Sequence, residues 1–332
     1  MGDTSFLVFG AGAWGTALSL QLNKSGNKVY LSSFDSTNLS SIASTRINQK
    51  YLPGVSLPDE IEVIGLNQEL FKKIDCVVIC VKSPYFSKAL SVLNNHSASF
   101  KVLWATKGFD LESGALLSEI VSKHYGKGIE HGVLSGPTFA EELSIGKPAA
   151  ITLATNTIKD PSELASSMSN ESLRVYISTD PIGVQLGGSL KNIIAIASGI
   201  SDAMNMGANA RAALITRGAE EMRALGKVLG ANEATFSGLS GIGDLVLTST
   251  DDQSRNRQLG IHIGSGGSLT SFKEAENGAP EGVHAVRALV DAGMVSDDQF
   301  PIMTRVYKIL FEGLSAKEAA TELMARPLRF EN

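Results

Sequence analysis

From Pro181 to Ser201 only one side chain is ionisable, Lys191, in a run that is otherwise apolar or small. At helical spacing its neighbours are Gly187, Gly188, Ile194 and Ala195. Such a run reads as a helix buried nearly all round. An ammonium buried there without a partner is costly, and its pKa falls. A lysine tuned in this way can act as a general acid or base. The other reading is a lysine that snorkels to the surface or pairs structurally with an acid.

A second stretch, "SGLSGIGDLVLTSTDDQSRNRQLG", bends at Gly238, Gly241 and Gly243 just before Asp244. It then presents Ser254, Arg255, Asn256 and Arg257 as a compact set of donors. Arginine and asparagine together suit a phosphate, through fork-shaped and amide hydrogen bonds. For Arg255 and Asn256 the alternatives are a second anion site and a solvated helix start; Arg257 reads as the latter.

Near the N-terminus, "FLVFGAGAWGTALSLQL" carries Gly10, Gly12 and Gly15 as G-x-G-x-x-G, after a strand-like run and at the start of a helical one. That context marks a dinucleotide loop. Gly10 permits the tight turn, Gly12 lets the backbone approach a pyrophosphate, and Gly15 lets helix and strand pack closely. The helix N-terminus favours the phosphate charge. The second strand ends in "LSSFDS". There Asp35 either binds a ribose 2′-hydroxyl or is a solvated loop acid. Phe34 beside it can stack on adenine but cannot pair with a 2′-phosphate.

These residues need elements to hold them. In the first half, strand-like runs ("SFLVFG", "KVYLSS", "CVVICV", "KVLWAT", "GVLSG", "AAITLA") alternate with helical ones. The continuous apolar character of those runs fits strands covered on both faces. The expectation is an α/β Rossmann-type, doubly wound parallel sheet followed by an all-α second domain. Residues 1–185 would form the dinucleotide-binding domain and residues 186–332 the helical substrate and catalytic domain. Ser315 and Glu318 spell a capping box before the last helix. Ligands bind such sheets outside the carboxyl ends of the strands. Three predicted ends there carry polar or glycine-rich chemistry: Lys82-Ser83-Pro84, Thr106-Lys107-Gly108 and Ser135-Gly136-Pro137-Thr138. Lys107 is either an anion contact or a solvated loop charge.

The bulk properties exclude several classes. The chain has 332 residues, 43% of them apolar, and a formal net charge of −5. That length suits two packed domains. The acidic balance offers no footprint for nucleic acid or an anionic membrane. No apolar run is long enough to span a bilayer, no signal peptide is expected before the first strand, and Phe6 stands where a myristoylation motif needs Ser or Thr. A cytoplasmic protein is expected. Cys76 and Cys80 fall on a buried strand and read as reduced thiols. The five histidines, His96, His124, His131, His262 and His284, have no partners that would make a triad or a metal site.

With these residues in view, the chain resembles the bacterial NAD(P)-dependent glycerol-3-phosphate dehydrogenase family. The likeness is carried by "GAGAWGTAL", "KYLPGVSLP", "WATKGF", "SGPTFAEEL", "GVQLGGSLKNIIAIASGISDAM", "GANARAALITRG", "GLSGIGDLVLTSTDDQSRNRQLG" and "EGVHAVRAL". It implies reversible reduction of dihydroxyacetone phosphate to sn-glycerol 3-phosphate with NADPH or NADH, feeding phospholipid synthesis, by a homodimer. It assigns Lys191 as proton donor and acceptor. It places Lys107, Gly136, Thr138, Asp244, Ser254, Arg255 and Asn256, with Lys191, at the substrate. At the cofactor, beside Gly10, Gly12 and Gly15, it places Ala13, Trp14, Phe34, Lys107, Ala140, Arg255, Ala279 and Glu281. Three positions depart from the family: Ala13 replaces a frequent Ser, Phe34 a frequent Arg or His, and Lys82 a usual Pro. Lys82 is a candidate replacement cation on the adenosine side. The competing readings are a two-domain dehydrogenase for another keto or hydroxy acid and a non-catalytic NADPH sensor.

Overall fold

The computed structural model describes residues 4–94, 100–126, 128–276 and 278–327. His96 and the Met1-Gly2-Asp3 start lie outside the described residues. The strands are β1 (Ser5–Phe9), β2 (Lys28–Ser32), β3 (Ile47–Asn48), β4 (Leu52–Ser56), β5 (Ile61–Val63), β6 (Cys76–Ile79), β7 (Lys101–Trp104), β8 (His131–Ser135), β9 (Ala149–Ala154) and β10 (Leu173–Ser178). Eight of them form one sheet in the order β10-β9-β8-β7-β6-β1-β2-β5, and β3 pairs with β4 apart from it. Helices α1 (Ala13–Lys24), α2 (Ser36–Thr45), α3 (Gln68–Phe71), α4 (Phe86–Asn94), α5 (Leu117–Tyr125), α6 (Ala140–Ser144) and α7 (Pro161–Met168) fill the connections.

The apolar runs form strands because both faces are covered. In β1, Phe6 and Val8 enter one core while Leu7 and Phe9 enter the other. A period-two alternation therefore exists, but it sorts apolar residues between two interiors. Cys76 is wholly buried and Cys80 partly so; both thiols are free, and burial pushes both above the ordinary thiol range.

The sheet departs from a wholly parallel one at a single pairing, where β8 and β9 run antiparallel. A parallel crossover needs a dozen or more residues, usually including a full helix. The helix in this connection, α6, has only five residues.

After Ser178 the described residues hold only helices and turns. They are α8 (Pro181–Ala203), α9 (Gly207–Val228), α10 (Asp244–Thr250), α11 (Arg255–Gly264), α12 (Leu269–Ala275), α13 (Glu281–Asp291), α14 (Pro301–Phe311) and α15 (Ala316–Met324). The capping box at Ser315 and Glu318 is formed in both directions. Helix α8 is the axis of this half. Asp180 caps it by accepting from the Gly183 amide at 2.9 Å, and Pro181 occupies its first turn. A division at 185/186 falls inside α8. Val184 belongs to a sheet-face core, whereas Leu186, Leu190 and Ile193 belong to the helical core. The two halves are joined through this one helix, with no linker between them.

Candidate active site

The glycine loop is built as its chemistry requires. Gly10 adopts φ +125°, and a Cβ there would lie 2.6 Å from the Cys80 carbonyl oxygen. A Cβ on Gly15 would overlap the Gly10 carbonyl, so α1 could not seat on the loop. Gly12 is the N-cap of α1; no side chain caps the helix, and a Cβ there would meet nothing within 4 Å. The first-turn amides from Ala13 onward are thus offered to a ligand in open space. This cradle fits the pyrophosphate of a dinucleotide. Trp14 Nε1 donates to Thr138 Oγ1 at 3.0 Å, which ties the loop to the segment after β8. In that segment Gly136 has φ +153°, and a Cβ would press on the backbone of Ala150 and Ile151. Ala140 follows as the first residue of α6.

At the ribose end, both oxygens of Asp35 have partners within the protein. It caps α2 by accepting from the Asn38 amide at 2.9 Å, and its other oxygen pairs with Lys50 at 2.8 Å. The Lys50 ammonium holds its carboxyl below the usual range.

The buried lysine lies in the crevice between the halves. Lys191 is 6% exposed on α8, and Asp244, in the first turn of α10, is 1% exposed. Lys191 Nζ donates to Asp244 Oδ1 and, at 2.6 Å, to Thr248 Oγ1. Lys107, from the end of β7, reaches the other oxygen of the same carboxylate at 2.6 Å. One carboxylate from the helical half thus bridges two lysines, one from each half. Burial pulls the Lys191 pKa down to about 7; Asp244 opposes that fall and Lys107 adds to it. An amine that titrates near neutrality can give and take a proton.

Close approach of helices makes this possible. A Cβ on Gly187 would overlap the Ser240 carbonyl, in the turn that delivers Asp244. A Cβ on Gly188 would sit 2.5 Å from Ser135 Oγ, beside the Lys107 side chain. Two bare positions on α8, one turn before Lys191, let β8 and the Asp244 turn close on that lysine.

A second group joins the halves at the end of β6. Glu281, the first residue of α13, accepts from the Ser83 hydroxyl at 2.6 Å and from its amide at 3.2 Å. Burial pushes its carboxyl up, against the pull of these bonds and of nearby Lys82 and Arg255. Lys82 therefore lies within electrostatic reach of Glu281 and Arg255. Arg255 donates from one nitrogen to the carbonyls of Glu276 and Gly278, both at 2.9 Å. Its remaining donors are open to an anion. Ala279 lies buried between that loop and Glu281.

The other members of the donor set are partly engaged by the protein. Ser254 caps α11 by accepting from the Arg257 amide. Asn256 donates to Asn192 Oδ1 at 2.9 Å and accepts from the Gly282 amide at 2.9 Å. Arg257 corrects the expectation of a solvated helix start: it is 8% exposed and paired with Asp202 and Asp252. Ser83, at one of the strand ends marked from sequence, meets Glu281. Two residues of the crevice were not singled out from sequence: Thr248 lies one turn beyond Asp244, and Asn192 adjoins Lys191. Only Thr248 left a signal, a hydroxyl four residues after the acid on a helical pattern.

Among the described residues no three His, Cys, Asp or Glu side chains gather as for a metal. His131 stacks on Trp104 at 5.9 Å between ring centroids, as a core histidine. A cavity of about 880 Å³ lies elsewhere, against α8, α9, α14 and α15, and contains none of these groups.

The comparisons agree with this arrangement. Residues 5–160 match the NAD-dependent glycerol-3-phosphate dehydrogenase N-terminus and residues 180–321 the C-terminus of the same family. A glycerol-3-phosphate dehydrogenase, NAD(P)+, of Thioalkalivibrio sulfidiphilus is 41% identical over 98% of both chains. One from Pectobacterium atrosepticum is 39% identical over 99% of this chain and 98% of its own. The crystal structure of glycerol-3-phosphate dehydrogenase from Coxiella burnetii superposes with a TM-score of 0.92 at 36% identity, over 98% of this chain and 99% of that one. A match over both halves, in order and at this identity, places the chain in the NAD-dependent glycerol-3-phosphate dehydrogenase family.

Proposed function

We propose that this protein reduces dihydroxyacetone phosphate to sn-glycerol 3-phosphate, reversibly, with NADPH or NADH. The observation that carries the reading is the buried Lys191–Asp244–Lys107 bridge, set in the crevice beside a dinucleotide loop. A nicotinamide cofactor bound through that loop would supply a hydride to carbon 2 of the ketone. Lys191, as ammonium, stabilises the charge that builds on the ketone oxygen and gives it a proton. In the reverse direction the neutral amine takes the proton from the alcohol. Asp244 and Thr248 fix the Lys191 Nζ, so the proton sits at one place when the substrate arrives. Arg255 and Asn256 anchor the phosphate, which sets carbon 2 against the cofactor. Lys107, Gly136, Thr138 and Ser254 complete the substrate side. Ala13, Trp14, Gly10, Gly12, Gly15, Phe34, Ala140, Ala279 and Glu281 complete the cofactor side.

We assign dinucleotide binding to the sheet half and substrate closure to the helical half. The family resemblance further supports a cytoplasmic homodimer that supplies glycerophospholipid synthesis. Light scattering on the purified protein should return twice the chain mass, and a monomer at micromolar concentration would remove that part. No helix among the described residues is long and apolar enough to cross a membrane.

The phosphate anchor separates this reading from a dehydrogenase for an unphosphorylated acid. Arg255→Ala should raise KM for dihydroxyacetone phosphate roughly thirtyfold, the worth of about 2 kcal/mol for a hydrogen bond to a charged group. The KM for cofactor should change much less. Equal small effects on both would reject Arg255 as the anchor.

A further inference from the structure

The adenosine end of the cofactor site uses neither of the two usual ribose contacts. An NAD site places an acid free to accept from the 2′-hydroxyl, and an NADP site places an arginine for the 2′-phosphate. Here both oxygens of Asp35 are engaged, one by the Asn38 amide and one by Lys50. No arginine stands at the end of β2; Phe34 does. Phe34 is 37% exposed, and its ring is braced edge-on by Phe9, with centroids 4.9 Å apart.

A cation nevertheless lies at this point. Lys88 Nζ sits 5.0 Å from the Phe34 ring centroid. It comes from α4, which begins after the turn at the end of β6, two strands across the sheet from β2. Among the described residues Lys88 makes no ion pair, and its ammonium is held only by the aromatic face. Lys50 is taken by Asp35, and Lys82 lies within electrostatic reach of Glu281 and Arg255.

We propose that Lys88 is the cofactor-specificity residue, a cation parked on the Phe34 ring that pairs with the 2′-phosphate of NADPH. Adenine takes the ring face that the ammonium leaves. The exchange is favourable because an exposed cation–π contact is weaker than a charge-assisted bond to phosphate. NADH offers the ammonium no anion in return, so it must displace Lys88 without compensation. The chain therefore prefers NADPH, although the strand end that usually decides the matter carries a phenylalanine. This inference rests on the reading of the protein as an NAD(P)-dependent dehydrogenase.

Calorimetric titration of the whole protein tests it without turnover. Wild type should bind NADPH about tenfold tighter than NADH, and adenosine 2′,5′-bisphosphate about tenfold tighter than 5′-AMP. Lys88→Met should remove most of both ratios, by weakening the 2′-phosphorylated ligands and slightly tightening NADH and 5′-AMP, which then have no ammonium to displace. The wild-type ratios should also shrink with added salt. Phe34→Leu should weaken all four ligands together, as loss of a stacking surface would. Unchanged ratios in Lys88→Met, an equal loss for every ligand, or tighter binding of NADH by wild type would each overturn the proposal. A protein that shows these ratios but fails to turn over dihydroxyacetone phosphate would count against the proposed reaction and not against Lys88.

Discussion

Asp244 decides how the two lysines behave. Its carboxylate is shared between a buried ammonium and a partly exposed one, and it holds the Lys191 pKa up against burial. Reduction needs Lys191 protonated, and its pKa is about 7. The kcat for ketone reduction should therefore fall as pH rises through about 7, while that for alcohol oxidation rises over the same interval. Asp244→Asn removes the charge that raises the pKa, so both midpoints should move to lower pH. Steady-state rates in both directions between pH 5 and 9 check this; midpoints that stay put in the variant would dissociate Asp244 from the proton. At this scale the sequence was most legible where a residue type clashed with its surroundings. Lys191 stood out as the one charge in an apolar run, and Asp244 as an acid after a glycine-rich bend. Arg257 was misread because Asp202, the better covered of its two partners, is distant in sequence. Asp35 stays open between ribose ligand and loop acid in the sequence because nothing local reveals Lys50 folding back on it.

The elements explain why the crevice closes as tightly as it does. Helix α8 carries Lys191, and Gly187 lets the Asp244 turn lie against the helix backbone. Gly187→Ala would drive a methyl into a carbonyl, a group that cannot rotate away. It should destabilise the fold by about 1–3 kcal/mol and lower kcat, because the Lys191–Asp244 bond would be stretched. Thermal unfolding together with kcat measures both; a stable variant with wild-type kcat would show that the contact is slack. The central strands were readable as continuous apolar runs. The edge strands were not. β10 alternates buried and exposed residues over its first four positions, and β5 has only three residues. The reversal of β9 was hidden too, since strand direction depends on how much helix fits the connection, a property of packing and not of composition.

Across the whole molecule, the site exists only where the halves meet. Lys107 and Ser83 come from the sheet, and Asp244, Lys191 and Glu281 from the helical half. The switch from strands to helices near residue 180 was visible in the sequence, and so were most of the groups that face each other across it. Their pairing was not, because Lys107 and Asp244 lie 137 residues apart. One comparison tests the role of Lys191 most directly: the rate of dihydroxyacetone phosphate reduction by NADPH and by NADH, for wild type and Lys191→Ala, with cofactor binding measured alongside. Wild type should turn over, and the variant should lose about 10²- to 10⁴-fold in kcat while still binding cofactor. A wild-type protein inert toward this ketone with both cofactors, or a Lys191→Ala variant as fast as wild type, would contradict it.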